Sequence, residues 1–310
     1  MRRIVVCGEA LVDLVPGPVS ADTRASSWRA LSAGGPMNSA IGLARLGAPV
    51  EFLGRLGDDA FAGQVRRHLT ANGVGTALAV DAPEPTSLAV VSLDEVGKAS
   101  YTFHFAGTAN FGWRADELPA LGADDWLHIA SLVTVVPPGD AVLLDWVRAG
   151  AGPLSVDVNV RPTVVPDMGD YWARVESWLR AVGARGGLVK GSDEDFEHLA
   201  AHSGLPVDPT ELVAALRDRY GVAWAVVTRG ADGAVAAGPD GVVAVPSPPV
   251  ALVDTIGAGD TFMAGLLDGL VVRGLPLADA LRRGALAAAI VCEREGADPP
   301  TAAELDADRR

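Results

Sequence analysis

The stretch "DTIGAGDTFMAG", residues 254–265, places three small residues directly before a predicted helix. The apolar residues at 262, 263, 266, 267, 270 and 271 and a glycine at 274 predict a helix that begins at about Gly259. Gly257, Ala258 and Gly259 would then present backbone N–H groups at the helix N-terminus, where unpaired donors and the helix dipole favour an anion. Their small side chains let that anion come close.

Asp260 lies in the first turn of this predicted helix. A carboxylate beside a phosphate-binding turn could accept a proton from an attacking hydroxyl group during phosphoryl transfer. Acidic residues are also common at helix starts, where they interact favourably with the dipole. On local physics alone, the second interpretation is favoured.

Composition and charge limit the class of protein. The chain has 310 residues, 49% of them hydrophobic, which is enough for one large domain or for one domain with a small appendage. The net charge of −14, with no cluster of Lys and Arg, argues against a nucleic-acid partner. Cys7 and Cys292 belong to no metal-binding spacing.

Glu9 and Asp13 interrupt the only N-terminal apolar stretch, and no apolar run could span a bilayer. We therefore expect a cytoplasmic protein with no membrane partner.

Short apolar runs alternate with amphipathic helical patterns along most of the chain. The runs "RRIVVCG", "VEFLGRLG", "DWLHIASLV", "GPLSVDVNV", "GGLVKGS" and "YGVAWAVVT" are typical of buried strands. The segments "MNSAIGLARLG", "DDAFAGQVRRHLTANGV" and "DPTELVAALRDRYG" are typical of helices that end near a glycine. This alternation predicts a mostly parallel sheet with helices on both faces.

Residues 85–107 depart from this rhythm, because two alternating strands surround the turn "DEVGK". Residues 14–30 are also non-helical, so the two stretches could form a small β flap. An extra hairpin at the edge of the main sheet fits the periodicity equally well.

Polar residues follow the predicted strands, where ligands bind in open α/β sheets. They are Asp13, Asn159 with Arg161, Lys190 with Ser192, Thr228 with Arg229, and Asp254. We therefore expect a pocket for a small molecule with several polar groups. Neither lysine of the chain belongs to a Walker loop, and "GAGDTF" has Phe262 where the dinucleotide fingerprint needs a third glycine.

Two signatures, some 220 residues apart, resemble those of the ribokinase-like carbohydrate kinases, also called the phosphofructokinase B family. They are "GGPMNSAIGLARLGAPVEFLGRLG", residues 34–57, and "DTIGAGDTFMAGLL". With "GEALVDL" and "VVTRGADGAV", the similarity extends over essentially the whole chain. It implies a three-layer α/β/α fold with a mostly parallel sheet and a small β lid. The implied kinase domain comprises residues 1–13, 31–84 and 108–310, and the lid comprises residues 14–30 and 85–107.

The resemblance implies ATP-dependent phosphorylation of a sugar hydroxyl group. It makes Asp260 the catalytic base, makes Gly257, Ala258 and Gly259 the anion hole, and overrules the local interpretation of Asp260. Sugar-binding positions of the family match Asp13, Gly34, Gly35 and Asn38. Without the family, the two glycines would be an ordinary turn and Asn38 a helix-start residue.

The resemblance also assigns the nucleotide and its ions. Thr228, Gly230 and Gly233 match the nucleotide turn, in which Arg229 replaces a commoner Leu, and Lys190 and Ser192 fall in the segment near the phosphates. Asp195 replaces the family's Glu and would organise Mg²⁺ through water; the alternative is a solvated acidic helix start. Asp254 matches a residue near a monovalent-cation site, which points to K⁺.

The stretch "DVNVRP" resembles that of fructokinases and 2-keto-3-deoxygluconate kinases. Its Arg161 could contact substrate or phosphate, or could equally pair with Asp157. We expect a fructokinase-like enzyme, with a 2-keto-3-deoxygluconate kinase or a ribokinase-type kinase as alternatives. A sugar- or nucleotide-binding sensor without catalysis is the rival from another class, although the intact Asp260 and anion hole speak against it. Relatives often form dimers through the lid, so we expect a homodimer.

Overall fold

The computed structural model describes residues 2–18, 21–93 and 99–307. Its strands are β1 (Ile4–Cys7), β2 (Leu11–Pro16), β3 (Trp28–Ala33), β4 (Val50–Leu53), β5 (Arg55–Leu56), β6 (Val80–Asp81), β7 (Leu88–Leu93), β8 (Ala99–His104), β9 (Trp126–Ala130), β10 (Leu154–Asp157), β11 (Leu188–Ser192), β12 (Trp224–Thr228), β13 (Ala234–Gly238) and β14 (Gly241–Val245). Its α-helices are α1 (Gly35–Arg45), α2 (Ala60–Ala71), α3 (Gly139–Ala149), α4 (Met168–Ala184), α5 (Asp193–Ser203), α6 (Pro209–Tyr220), α7 (Ala258–Leu267), α8 (Leu277–Cys292) and α9 (Ala302–Ala307).

Eight strands form the main sheet, in the order β14-β13-β12-β11-β10-β9-β1-β4. The six strands from β12 to β4 in this order are parallel, and β13 and β14 extend the sheet antiparallel. Every residue of β1, β9 and β10 is buried, which explains why these strands are continuous apolar runs. The predicted mostly parallel sheet is confirmed.

Helices cover both faces of this sheet and form two separate cores with it. Helices α3 to α6 contribute to the core on one face, and α1, α2, α7 and α8 contribute to the core on the other. The three-layer α/β/α architecture is therefore confirmed. Among the described residues, no helix combines the length and the apolar character that crossing a membrane requires.

A second sheet of four strands has the order β3-β2-β7-β8. In the described residues, the hairpin of β7 and β8 pairs with β2 and does not extend the main sheet. Its expected turn "DEVGK", residues 94–98, lies outside the described residues. β2 and β3 cross the expected boundaries at residues 14 and 30, and the proposed division into kinase domain and lid stays a prediction.

Close helix contacts on the second face fix the position of α7 between α1 and α8. α1 approaches α7 so closely that a Cβ atom at Gly42 would lie 2.7 Å from the Cβ atom of Ala264. α8 also lies against α7, because a Cβ atom at Gly265 would lie 2.8 Å from the carbonyl oxygen of Arg283. Small residues thus allow α1 and α8 to pack directly against α7.

We expect Gly265→Ala to lower the free energy of unfolding by about 1–3 kcal/mol, because the added methyl group would force α8 away from α7. Gly63→Ala in α2 is the matched control, since its Cβ atom would meet only the flexible end of Arg67 at 3.4 Å. Because alanine has a higher helix propensity than glycine, the control substitution should leave the free energy of unfolding unchanged or raise it. Urea unfolding measures both, and equal effects of the two substitutions would contradict the assigned helix contact.

Candidate active site

The turn that precedes α7 has the backbone conformation that an N-terminal anion site needs. The helix starts at Ala258, one residue before the expected position, and Asp260 lies in its first turn. Gly257 has a φ of 75°, in the left-handed region that favours glycine. A Cβ atom there would lie 2.6 Å from that of Ala297, so the turn has no space for a side chain. The Ala258 N–H donates a hydrogen bond to the carbonyl oxygen of Thr255 at 3.2 Å.

Asp260 lies against the N-terminus of α1. Its Oδ2 accepts a hydrogen bond from Nδ2 of Asn38 at 2.9 Å, and the Ser39 hydroxyl group donates to its backbone carbonyl at 3.2 Å. A Cβ atom at Gly35 would lie 2.9 Å from Oδ1 of Asp260 and 3.2 Å from Nδ2 of Asn159. Gly35 and Asn38 from one signature therefore meet Asp260 from the other, and Asn159 belongs to the same group.

Gly34 comes directly before α1 and has a φ of 126°. A Cβ atom there would lie 2.6 Å from the carbonyl oxygen of Glu9, at the end of β1, so glycine is needed for both reasons. Burial raises the pKa of the Glu9 carboxyl group to about 7. Its Oε2 atom finds no hydrogen-bond partner among the described residues. The sequence analysis did not identify Glu9 as part of this region.

Lys190 approaches the same turn from β11. Its Nζ lies 3.2 Å from the place of a Cβ atom at Gly259, and it donates a hydrogen bond of 2.8 Å to Oδ2 of Asp157. The suggested pairing of Asp157 with Arg161 is therefore wrong: Asp157 lies beside Lys190 in the sheet register, and Arg161 is exposed and donates to the Val160 carbonyl oxygen.

Burial by itself lowers the pKa of Lys190, but the charges of Asp157, Asp195 and Asp260 outweigh it and leave the pKa raised. Burial raises the pKa of Asp157 to about 6, although Lys190 opposes that shift. Lys190 and Asp157 therefore form a charged pair at neutral pH.

Asp195 caps α5 in a reciprocal arrangement with Ser192. The Ser192 hydroxyl group accepts from the Asp195 N–H at 3.0 Å, and Oδ2 of Asp195 accepts from the Ser192 N–H at 2.7 Å. Oδ1 of Asp195 accepts from the Val160 N–H, also at 2.7 Å. Because Asp195 is buried, the alternative of a solvated acidic helix start is wrong. The described residues contain no group of three His, Cys, Asp or Glu side chains that could hold a metal ion.

A cleft of about 300 Å³ joins the turn before α7 to the turn after β12. Among its lining residues are Thr228, Gly230, Gly233, Ala258 and Gly259, all predicted from the sequence. Its other walls include Val250, Leu252, Phe262, Ala285, Ala288, Ala289 and Cys292. Such an apolar slot with backbone donors at one end suits a flat aromatic base that carries an anionic tail. Arg229 donates to the carbonyl oxygen of Asp232 at 2.6 Å and so stays within its own turn.

Asp13 lies on β2 in the four-stranded sheet. It pairs in register with Ala89, and Ala89 pairs with Phe103, so Asp13, Phe103 and Tyr101 share one face of that sheet. Burial raises the pKa of the Asp13 carboxyl group to about 6. Burial is the main cause that raises the pKa of Tyr101. The charges of Asp13 and Asp254 raise this pKa further, whereas the charge of Arg161 lowers it. Tyr101, which the sequence analysis missed, therefore lies near all three charged groups.

Asp254 fixes the loop before α7. Its Oδ1 accepts from the Ile256 N–H at 3.0 Å, and its Oδ2 accepts from the Gly296 N–H at 2.9 Å. These bonds connect the loop to the segment that follows α8. Asp254 therefore positions the loop that leads into the turn at 257–259.

Comparison with known proteins gives consistent similarities. The pfkB family carbohydrate kinase model matches residues 1–304. A fructokinase from Klebsiella pneumoniae is 33% identical over 280 residues, covering 88% of this chain and 86% of that relative. The crystal structure of a fructokinase with bound ATP from Xylella fastidiosa has a TM-score of 0.86, with 25% identity, over 98% of this chain and 97% of that one. The fructokinase from Vibrio cholerae O395, in a form with fructose, ADP and calcium ion, has a TM-score of 0.84, with 28% identity, over 99% and 98%. The fold is thus ribokinase-like, as the resemblance implied.

The raised pKa of Asp13 predicts how a neutral substitution changes stability with pH. Because the folded-state pKa of about 6 exceeds the unfolded value of 3.8, ionised Asp13 destabilises the fold above pH 6, and this effect disappears below the unfolded pKa. We expect Asp13→Asn to raise the melting temperature by a few degrees above pH 6 and to have little effect near about pH 4.

Thermal unfolding over this pH range measures the effect. Asp116→Asn is the control, because a hydrogen bond from Arg114 lowers the pKa of that exposed carboxyl group and no stabilisation at high pH is expected. A gain for Asp13→Asn that is equal at both ends of the range would exclude a buried, ionised Asp13.

Proposed function

The chain belongs to the pfkB family of carbohydrate kinases, and from this premise we propose that it transfers the γ-phosphoryl group of ATP to a hydroxyl group of fructose. The observation that carries the proposal is the contact of Asp260 with Asn38 directly beside the turn at 257–259. It places a carboxylate next to a helix N-terminus at the end of a nucleotide-sized cleft. The similarity to fructokinases at 33% identity supports fructose as the acceptor.

Asp260 acts as the general base. It takes the proton from the sugar hydroxyl group as that oxygen attacks the γ-phosphorus atom, and the bond from phosphorus to the β-phosphate bridging oxygen breaks to leave ADP. Asn38 holds the carboxylate by donating to Oδ2, so that Oδ1 is free to face the hydroxyl group. The amides at 257–259, of which that of Ala258 is shared with the Thr255 carbonyl oxygen, and the dipole of α7 stabilise the negative charge on the transferred group.

The sugar lies between α1 and the four-stranded sheet. Asp13 and Asn38 each offer polar groups that can bond sugar hydroxyls, and Gly34 and Gly35 let the ring approach the backbone. Tyr101 and Phe103 lie on the face of the sheet that carries Asp13, where they would cover the sugar and exclude water.

The nucleotide lies in the cleft beneath Thr228, Gly230 and Gly233, with its phosphates directed at the turn before α7. Lys190 and Ser192 lie on the phosphate side, and Lys190 supplies a positive charge beside Gly259. Mg²⁺ would neutralise phosphate charge when bound. Since the described residues form no three-ligand cage, Mg²⁺ fits here as an ion held mainly by phosphates and water, with Asp195 organising that water.

The proposal also includes a bound K⁺ ion, a homodimer and a cytoplasmic location. Carbonyl oxygens of the loop that Asp254 fixes would hold K⁺, which would supply positive charge beside the turn before α7. The protein forms a homodimer through its four-stranded sheet, which exposes Trp28, Leu31 and Tyr101. We also propose a cytoplasmic location, which is the location expected from the sequence.

A panel of acceptor sugars tests the substrate. We expect fructose to have the highest kcat/KM among hexoses, pentoses, nucleosides and sugar acids, measured as ADP formation. Arg161 has an exposed guanidinium group, so an acidic sugar could recruit it. If the enzyme uses fructose, Arg161→Ala should change kcat/KM by a similar small factor for all sugars. A selective loss on 2-keto-3-deoxygluconate, together with higher wild-type activity on it, would favour that alternative.

Asp260→Asn tests the base. We expect kcat to fall by about 10²–10⁴-fold, because the amide cannot accept the proton, while the affinity for ATP measured by calorimetry stays nearly unchanged. Asp279→Asn is the matched control, since Asp279 is an exposed acidic residue in the first turn of α8. Near-normal turnover in Asp260→Asn would rule out the base, and a wild-type chain that binds ATP but phosphorylates no sugar would be a sensor.

A further inference from the structure

We propose that Asp157 is a positioning residue for phosphoryl transfer, whose buried carboxylate holds the ammonium group of Lys190 beside the turn at 257–259. This inference rests on the proposed kinase function, because it assigns the transferred phosphate to that turn. Asp157 touches neither the cleft nor Asp260 in the contacts described above. It acts through Lys190.

The pair is buried almost completely, since the relative exposure is 2% for Asp157 and 4% for Lys190. Removing an ammonium group from water is unfavourable unless an opposite charge lies in contact with it. The 2.8 Å hydrogen bond from Nζ of Lys190 to Oδ2 of Asp157 supplies that contact. The sheet fixes it, because Asp157 and Lys190 are directly paired in the parallel register of β10 and β11.

Lys190 is the only hydrogen-bond partner of the Asp157 carboxylate among the described residues. Oδ1 of Asp157 is buried and has no hydrogen-bond partner among the described residues. A structural ion pair is stabilising only when its remaining polar atoms are also satisfied. The arrangement therefore leaves a carboxylate oriented by Lys190 alone, next to the turn where a phosphate would bring additional negative charge.

Lys190 faces charged groups from several elements. Asp157 lies on β10, Asp195 on α5 and Asp260 on α7, and all three favour its charged form. His128 on β9 also lies near Lys190. Burial lowers the pKa of His128 to about 3, and the positive charge of Lys190 lowers it as well. His128 is therefore neutral near pH 7. The positive charge beside Gly259 depends mainly on Asp157, because Asp157 is the charge in direct contact.

Asp157→Asn keeps the shape and one acceptor but removes the negative charge. Burial, which lowers the pKa of Lys190, is then less opposed, so Lys190 loses its proton at a lower pH than in the wild type. Because the pKa of Lys190 is raised in the wild type, the wild-type kcat should not decline up to about pH 9 through this group. In Asp157→Asn, kcat should fall as pH rises, with a midpoint at or below about pH 8, because burial without a counter-charge in contact can lower the pKa of a lysine by several units.

The test is a double-mutant cycle of Asp157→Asn, Lys190→Gln and the double variant, with direct measurement of ADP formation from about pH 6 to pH 9.5. We expect Asp157→Asn to reduce kcat at about pH 9 by about tenfold or more, with the KM for sugar within about threefold of wild type. If Asp157 acts only through Lys190, the double variant should match Lys190→Gln within about twofold and show no alkaline decline.

Ser155→Ala is the control for a packing defect on the same strand. Ser155 is buried on β10, accepts a hydrogen bond from Trp126 at 2.8 Å and lies 3.0 Å from Nδ1 of His128, whereas its partner in the sheet register is Leu188 and not Lys190. Its substitution should lower the melting temperature without moving the pH profile. The inference is overturned if Asp157→Asn has the wild-type profile, or if its effect multiplies with that of Lys190→Gln.

The double variant keeps the test decisive if Asp157→Asn does not fold, since the two amide side chains that it introduces carry no unpaired buried charge. In that event the double variant must match Lys190→Gln, in which Asp157 can become neutral by taking up a proton because burial already raises its pKa to about 6, and any further loss of kcat overturns the inference. A wild-type protein without sugar kinase activity would instead refute the proposed function. An active wild type with an unchanged Asp157 variant would refute only the role of Asp157.

Discussion

The hydrogen bond between Asn38 and Asp260 is the contact on which the site depends, because it fixes two helix N-termini against each other. It requires α1 and α7 to approach closely, which the small residues Gly42 and Ala264 allow. It also requires a glycine at position 35, since a side chain there would displace the carboxylate. The position of the Asp260 carboxylate relative to Gly35 and Asn38 is therefore a consequence of helix packing several residues away from it.

The parallel sheet explains why residues from distant parts of the chain meet at this place. Strands β1, β10, β11 and β12 all run in one direction, so that the residues at or after their ends lie along one edge. Glu9, Asn159, Ser192 and Thr228 are positioned in this way. Asp13 lies on the second sheet, so its position depends on the pairing of β2 with β7 and not on the main sheet. In the proposed function, the edge of the main sheet would hold the phosphates and the smaller sheet would supply contacts to the sugar.

The sequence predicted those parts of the site that depend on local chain geometry. The start of α7 was correct to one residue, and the cleft-lining positions Thr228, Gly230 and Gly233 were identified, because turns and helix ends carry their own residue preferences. The partner of Asp157 was not predictable in this way. Arg161 is four residues away and has the right charge, but only the alignment of β10 with β11 places Lys190 opposite Asp157. Glu9 and Tyr101 were missed for the same reason, since their neighbours come from other strands.

The charge balance explains why backbone groups and one lysine suffice in an acidic chain. With a net charge of −14, the protein has no general attraction for a nucleotide, and Asp157, Asp195 and Asp260 add negative charge close to the turn. Helix dipoles and amide donors stabilise an anion locally and do not change the net charge of the protein. A buried Lys190 adds one positive charge at short range, where the low dielectric makes it most effective. In the proposed function, the site would therefore hold a triphosphate without a basic surface, and its electrostatics would depend on the few carboxylates that keep Lys190 charged.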